Sequence, residues 1–318
     1  MKDISLIVPC YNEEQNIVEL YKASMNVLNQ LPISEYEFIF IDDGSSDATL
    51  GKLKELQLND PNVQYISFSR NFGKEAAMLA GLEYSSGDFV AIMDADMQDP
   101  PELLLEMYPL LLSEDYDCIG SRRITRKGEP RVRSFFAKSF YRVINKISKI
   151  EIVDGARDFR LMKRNMVDAL LTLKEKNRFS KGLFVWVGFK TKYLTYENRD
   201  RHGGQSKWSF WDLMKYSMDG IISFSTVPLT LVSFLGILCC ILSVGLIIFF
   251  ILQKLIFGNN VDGWASMTTI ILLLGGVQLL GIGILGQYLA KIFLEVKGRP
   301  SYIIKEHSCT EKEIFHEK

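Results

Sequence analysis

Carboxylates crowd the stretch DADMQD, where Asp94, Asp96 and Asp99 follow directly on the apolar run Phe89–Met93. Like charges this close repel, and each raises the pKa of its neighbours. Asp94 and Asp96 are two apart, so at the end of an extended strand they share a face. A divalent cation there would turn their repulsion into shared attraction. Magnesium or manganese suits such oxygen ligands and takes few of them from a protein when substrate phosphates supply the rest. Gln98 offers one further, neutral oxygen. Asp99 stands before Pro100 and Pro101, the pattern of a helix start. A second acidic pair, Asp42 and Asp43 in FIFIDDGSSDAT, precedes a turn glycine and the helix-capping residues Ser45, Ser46 and Asp47. Capping leaves the pair itself unexplained, and Asp43 is a candidate to hydrogen-bond a nucleotide base or ribose. A D-x-D also occurs in phosphatases of the haloacid-dehalogenase type, but those carry Thr or Val where this chain has Gln98.

These acids need a scaffold to hold them. Apolar runs predict strands at Ile4 to Val8, Glu37 to Ile41, Val63 to Phe68, Phe89 to Met93 and Asp117 to Gly120, with helices near 14–30, 47–58, 73–85 and 101–113. Alternation of this kind implies an α/β fold with a doubly wound, mostly parallel sheet. Ligands of such sheets gather at the carboxyl ends of the strands. Four predicted strands end in polar segments, PCYNEEQN, DDGSSDAT, SRNFGKE and DADMQD, which together outline one site.

The chain has 318 residues, with 37 Lys and Arg against 38 Asp and Glu, so its overall charge gives no reason to expect nucleic acid. The basic charge is concentrated instead. Between Arg122 and Lys149 ten basic residues face one acid, Glu129. In RVRSFFAKSFYRVINKISK the residues Phe136, Phe140, Val143, Ile144 and Ile147 recur at helical spacing, while Lys138, Arg142, Lys146 and Lys149 take another face. That pattern suits a helix in a membrane interface (131–149) or one packed on the protein with its basic face in water. SKWSFWDLMKYSMDG (within 206–224), with Trp208 and Trp211, reads as a second. Five cysteines, without a C-x-x-C pair, argue against a disulfide framework and for a reducing compartment.

No charge lies between Asp219 and Lys254 or between Asp262 and Lys291, stretches that exceed the roughly 20 apolar residues needed to cross a bilayer. Two spans are expected, at about Val227 to Leu252 and Ser266 to Ala290. Basic residues flank the pair outside (Arg199, Arg201, Lys207 and Lys215 before; Lys291, Lys297, Arg299 and Lys305 after), which places both chain ends in the cytoplasm. The glycines of LLLGGVQLLGIGILGQ offer a surface for close helix packing, in one chain or between copies. The expected organisation is a domain at 1–205, interfacial helices, spans within 225–294 and a cytoplasmic tail at 295–318.

VPCYNEE, DDGSSDAT, RNFGKEAAMLAGL, DADMQDPPE, GSR, DGARDFRLM and RHGGQSKW, in that order and followed by two spans, resemble the polyprenyl-phosphate glycosyltransferases of the GT-A, family 2 kind. These are relatives of dolichol-phosphate-mannose synthase, and the bacterial undecaprenyl-phosphate glucosyltransferase branch is the nearest. The resemblance implies metal-dependent, inverting transfer of a hexose from UDP-glucose or UDP-N-acetylglucosamine to undecaprenyl phosphate. It implies that Pro9, Tyr11, Asn12, Glu13 and Asp43 hold the nucleotide, with Arg70 and Lys74 nearby. Asp94 would contact the sugar nucleotide, and Asp96 and Gln98 would bind the metal across its phosphates. Arg122, Arg133, Arg201 and Lys207 would clamp the acceptor phosphate, for which arginine forks are well shaped. Asp158 would activate or position the acceptor; on its residues alone it could instead pair with Arg157 or Arg160. A polysaccharide synthase, which would carry a Q-x-x-R-W motif and more spans, and a non-catalytic nucleotide-sugar binder are the alternative readings.

Overall fold

The computed structural model describes residues 2–113, 115–123, 142, 144–148, 151–196, 220–257 and 263–309. Most of the two proposed interfacial helices, with Arg133, Arg201 and Lys207, lies outside them.

The apolar runs form the predicted strands: β1 (Ile4–Cys10), β2 (Tyr36–Asp42), β3 (Val63–Phe68), β4 (Phe89–Ile92) and β5 (Cys118–Arg123). Between them run α1 (Ile17–Leu28), α2 (Thr49–Asn59), α3 (Lys74–Tyr84) and, after a 3-10 turn at Pro101–Leu103, α4 (Leu104–Ser113). Then come β6 (Ala156–Lys163), α5 (Arg164–Leu171), α6 (Ser180–Trp186) and β7 (Thr191–Tyr196). Two long helices, α7 (Val227–Phe257) and α8 (Trp264–Val296), precede a last strand, β8 (Ile304–His307).

The eight strands make one sheet in the order β7-β5-β6-β4-β1-β2-β3-β8. Its centre, β4-β1-β2-β3, is parallel, while β6 runs antiparallel to both β4 and β5. Strand alternation splits the core between the two faces. Phe38 and Phe40 pack with α1, α2 and α4, whereas Ile39 and Ile41 pack with α3, α5 and α6. Helix α3 lies so close to the sheet that a Cβ on Gly81 would stand 2.2 Å from Ile7 Cγ2.

Part of the segment expected as a cytoplasmic tail joins the sheet. Strand β8 pairs antiparallel with β3, placing Ile66 opposite His307 and Ser67 opposite Glu306. Tyr302 stacks on Phe68 with centroids 4.8 Å apart, Lys54 meets Glu306 at 2.7 Å, and Cys309 is buried. The sheet domain is therefore discontinuous in sequence, closed by residues that follow both long helices.

Val227–Gln253 and Ile270–Val296 are long and apolar enough to cross a membrane. Each has 27 residues, which at 1.5 Å per residue is about 40 Å against a hydrocarbon core of about 30 Å. The outer ends of both helices meet the sheet domain. Ser225 Oγ donates to the Ile147 carbonyl, Tyr288 Oη to the Ser225 carbonyl at 2.6 Å, and Lys291 Nζ to Asn177 Oδ1 at 2.7 Å. Where the basic helix of the sequence reading is described, Ile144 is fully buried against Ile152 and Phe179, while Arg142 and Lys146 are exposed. At Ile144 the apolar face packs on protein.

Candidate active site

Register places two acids opposite each other. Ile92 pairs with Arg160 across β4 and β6, so two residues further along, Asp94 faces Asp158. Lys74, the first residue of α3, reaches between them, with Nζ 2.5 Å from Asp94 Oδ1 and 2.5 Å from Asp158 Oδ2. Burial alone would raise the Asp158 carboxyl, but the Lys74 ammonium, helped by Lys181, holds it well below the usual carboxylate range. Burial works against the Lys74 charge too, and the two carboxylates outweigh it, raising its pKa.

The other two acids of the DADMQD stretch are satisfied differently. Asp99 is 2% exposed and accepts from Arg157 Nε at 3.1 Å and from the Tyr196 hydroxyl. Desolvation still raises its pKa, against the pull of Arg157. Asp96 is half-buried, and its Oδ1 accepts the Gln98 N–H at 3.2 Å. The Gln98 amide oxygen accepts from Arg157 Nη2 at 2.9 Å. Between Asp96 and Gln98, Met97 takes a left-handed φ of 60°, the sharp turn that separates the three carboxyl groups. Fixed cations and a turn thus relieve the crowding within the protein.

The β1 and β2 loops lock together beside these acids. Ser45 Oγ accepts the Asn12 N–H and Thr49 Oγ1 accepts the Glu13 N–H, each at 2.9 Å, while Asn12 Oδ1 accepts the Ser46 N–H at 2.8 Å. Asn12 itself is left-handed, with φ 54°. Asp42 is consumed structurally: it accepts the Ser45 N–H at 3.0 Å and the Ser67 hydroxyl at 2.8 Å. Asp43 accepts the N–H groups of Phe72 (2.6 Å) and Gly73 (2.9 Å), tying the β3 loop to the β2 loop. Burial pushes its carboxyl up to about 6 despite those bonds. Pro9 and Tyr11 border the same loops, with Tyr11 39% exposed. Arg70 is exposed and lies over the Phe72 ring. At the far edge Arg122 donates from Nε to the Asp154 carbonyl at 2.9 Å.

The structure therefore gathers Pro9, Tyr11, Asn12, Glu13, Asp43, Arg70, Lys74, Asp94, Asp96, Gln98, Arg122 and Asp158 at one end of the sheet. Residues 5–171 match the model of the family described as Glycosyl transferase family 2. The chain belongs to this family. A glycosyltransferase of Synechocystis, itself uncharacterised, is 41% identical over 96% of this chain and 95% of its own length. The SfII prophage-derived bactoprenol glucosyl transferase of Shigella flexneri is 42% identical over 95% of this chain and 97% of its own. Among solved structures, mannosyl-3-phosphoglycerate synthase from Rubrobacter xylanophilus is similar with a TM-score of 0.47 at 18% identity, over 69% of this chain and 72% of that one.

Around these groups the structure pairs Asp158 differently from the sequence reading and adds Glu75, which that reading did not single out. The sequence offers Arg157 and Arg160 as partners of Asp158, but alternation along β6 sends Arg157 to Asp99 on one face. On the other face Arg160, 2% exposed, lies 3.5 Å from the Phe184 ring centroid. Glu75, next to Lys74, accepts the N–H and hydroxyl of Ser180 and so fastens α6 to α3. Burial pushes the Glu75 carboxyl up to about 7. Among the described residues no cluster of three His, Cys, Asp or Glu side chains is arranged to hold a metal. The Asp96 carboxylate still fits a magnesium- or manganese-type ion, because such an ion takes one or two carboxylates and fills its shell with phosphate oxygens and water. Gln98 is already serving Arg157.

Proposed function

We propose that this enzyme transfers glucose from UDP-glucose to undecaprenyl phosphate at the cytoplasmic face of the membrane, giving a lipid-linked sugar for cell-wall or surface-polymer glycosylation. The observation that carries the reading is that both apolar helices present their outer ends to the domain that holds Asp94, Asp96 and Asp158. With β8 hydrogen-bonded to β3 after the second helix, a pair of spans returns the chain to the side from which it left. This supports the part of the flanking-charge argument that puts both chain ends on one side of the membrane, and it favours a site close to the bilayer, where a lipid phosphate can reach it. The name of the Shigella relative, a bactoprenol glucosyl transferase alike over nearly its full length, favours glucose and a polyprenyl carrier.

The chemistry follows from the residues. The interlocked β1 and β2 loops, with Tyr11, Asn12, Glu13 and Asp43, take the nucleoside, which directs the donor's pyrophosphate to the carboxyl end of β4. A phosphate oxygen of the acceptor attacks the anomeric carbon from the face opposite the leaving group. The carbon–oxygen bond to UDP breaks with its electron pair, and the configuration inverts. A divalent ion held by Asp96 would stabilise the charge gained by the departing pyrophosphate. A phosphomonoester, with a second pKa of about 6, is already largely dianionic near pH 7. Asp158, kept ionised by Lys74, is therefore cast as a positioning group rather than a base. Asp94, on the same ammonium, faces the transferred sugar.

Incubation of membranes holding the full chain with labelled UDP-glucose and undecaprenyl phosphate tests this. Acid-labile label extracted into organic solvent is expected. Label in precipitable polymer, or no transfer from any nucleotide sugar, overturns the proposal.

A further inference from the structure

Lys181 has no contact with substrate in the chemistry described so far. It is the second residue of α6 and half-buried, and among the described residues no carboxylate lies within ion-pairing distance of it. Its position is fixed from two sides. Ser180, just before it, is bonded to Glu75 through both N–H and hydroxyl. The loop leading to it is held by the outer end of α8: Glu295 Oε1 accepts the N–H groups of Lys176 (2.9 Å) and Asn177 (3.1 Å), and Lys291 Nζ donates to Asn177 Oδ1 at 2.7 Å. Asn177 Nδ2 also donates to Ser223 Oγ at 2.9 Å, just ahead of α7. The segment 176–181 thus runs from the apolar helices to the acid pair.

At its inner end three cations, Lys74, Lys181 and Arg160, meet two acids, Asp94 and Asp158, so positive charge exceeds negative by one. Lys74 is shared by Asp94 and Asp158, and Arg160 is enclosed against Phe184 with its Nη2 donated to the Arg157 carbonyl. Lys181, which no carboxylate among the described residues pairs, follows Ser180 and so stands beside the Glu75–Lys74 start of α3, at the inner end of this segment. A surplus ammonium between a bilayer surface and a reaction centre suits an incoming dianion.

We propose that Lys181 binds the phosphate of the lipid acceptor and, together with Lys74, sets it beside Asp158 for attack. This rests on the acceptor reading above. The test uses the purified full chain in vesicles of phosphatidylcholine with a graded fraction of phosphatidylglycerol. Undecaprenyl phosphate and UDP-glucose are varied in turn. Lys181→Met is expected to raise the acceptor KM about ten-fold or more, the scale of one charge-assisted hydrogen bond, with the donor KM and UDP binding unchanged. Lys181→Arg should recover most of the loss. An unaltered acceptor KM in Lys181→Met, with the wild type active, overturns the proposal and leaves the function standing. A defect that follows the phosphatidylglycerol fraction rather than acceptor concentration also overturns it, in favour of general headgroup attraction. If the wild type transfers no sugar to polyprenyl phosphate, the acceptor reading itself falls.

Discussion

Lys74 carries the largest share of the electrostatics at the residue scale, because its ammonium pairs with both Asp94 and Asp158. Removing it leaves two like charges face to face across neighbouring strands. Lys74→Met should therefore destabilise the domain by about 1–3 kcal/mol, and adding Asp158→Asn should return part of that loss. A double-mutant cycle by chemical denaturation measures the coupling; additive effects would exclude it. Asp96 is a different case, since its proposed work begins only as the leaving group gains charge. Asp96→Ala is expected to lower kcat by a factor of about 100 or more while UDP-glucose binding changes much less. A variant that turns over at the wild-type rate in the presence of chelator would remove the metal from the mechanism. This pairing of acid with cation was not legible in the sequence. Asp158 lies 84 positions from Lys74, and only the β4–β6 register brings them together. The acids themselves were legible, because charge directly after an apolar strand run has few structural reasons to be there.

Elements explain which parts of the site are stiff. Gly44 has φ +68°, and a Cβ there would stand 2.5 Å from the backbone carbon of Arg70, so the β2 and β3 loops touch main chain to main chain. Gly44→Ala should cost at least about 1–2 kcal/mol. Nucleotide binding should weaken with it, as isothermal titration with UDP can measure. Glu75 joins α3 to α6 through a carboxyl whose pKa burial raises to about 7, against an unfolded value of about 4.5. Because the folded state holds this proton more tightly, the contribution of Glu75 to stability is greatest below about pH 4.5 and falls as pH rises through about 7. The melting temperature of Glu75→Gln relative to wild type should therefore climb between pH 5 and pH 8; a flat difference would contradict the assignment. Strands β1 to β5 were readable as buried apolar runs bounded by polar turns. Strand β8 was not: IKEH is four residues long, two of them charged, and it becomes a strand only because β3 offers an open edge.

At the scale of the whole molecule the sheet domain and the two apolar helices are one unit. The predicted boundary at residue 205 would cut the domain away from its own edge strand. A chain ending there should expose β3 and self-associate, whereas the full chain lacking only residues 310–318 should behave as wild type; size-exclusion chromatography and light scattering compare the two. In α8 the glycine-rich surface is used sparingly within one chain. A Cβ on Gly281 would meet Val232 at 3.0 Å, while those on Gly275, Gly276, Gly283 and Gly286 would meet nothing within 4 Å.

Strand β8 also imposes an order on biosynthesis. Tyr65 leaves the ribosome 243 residues before Ser308, the partner whose hydroxyl its N–H will meet. Throughout that interval the β3 edge of the nascent domain has no β8 to pair with, because both long apolar helices are made in between. Closure of the sheet thus comes last, after the whole apolar segment has left the ribosome.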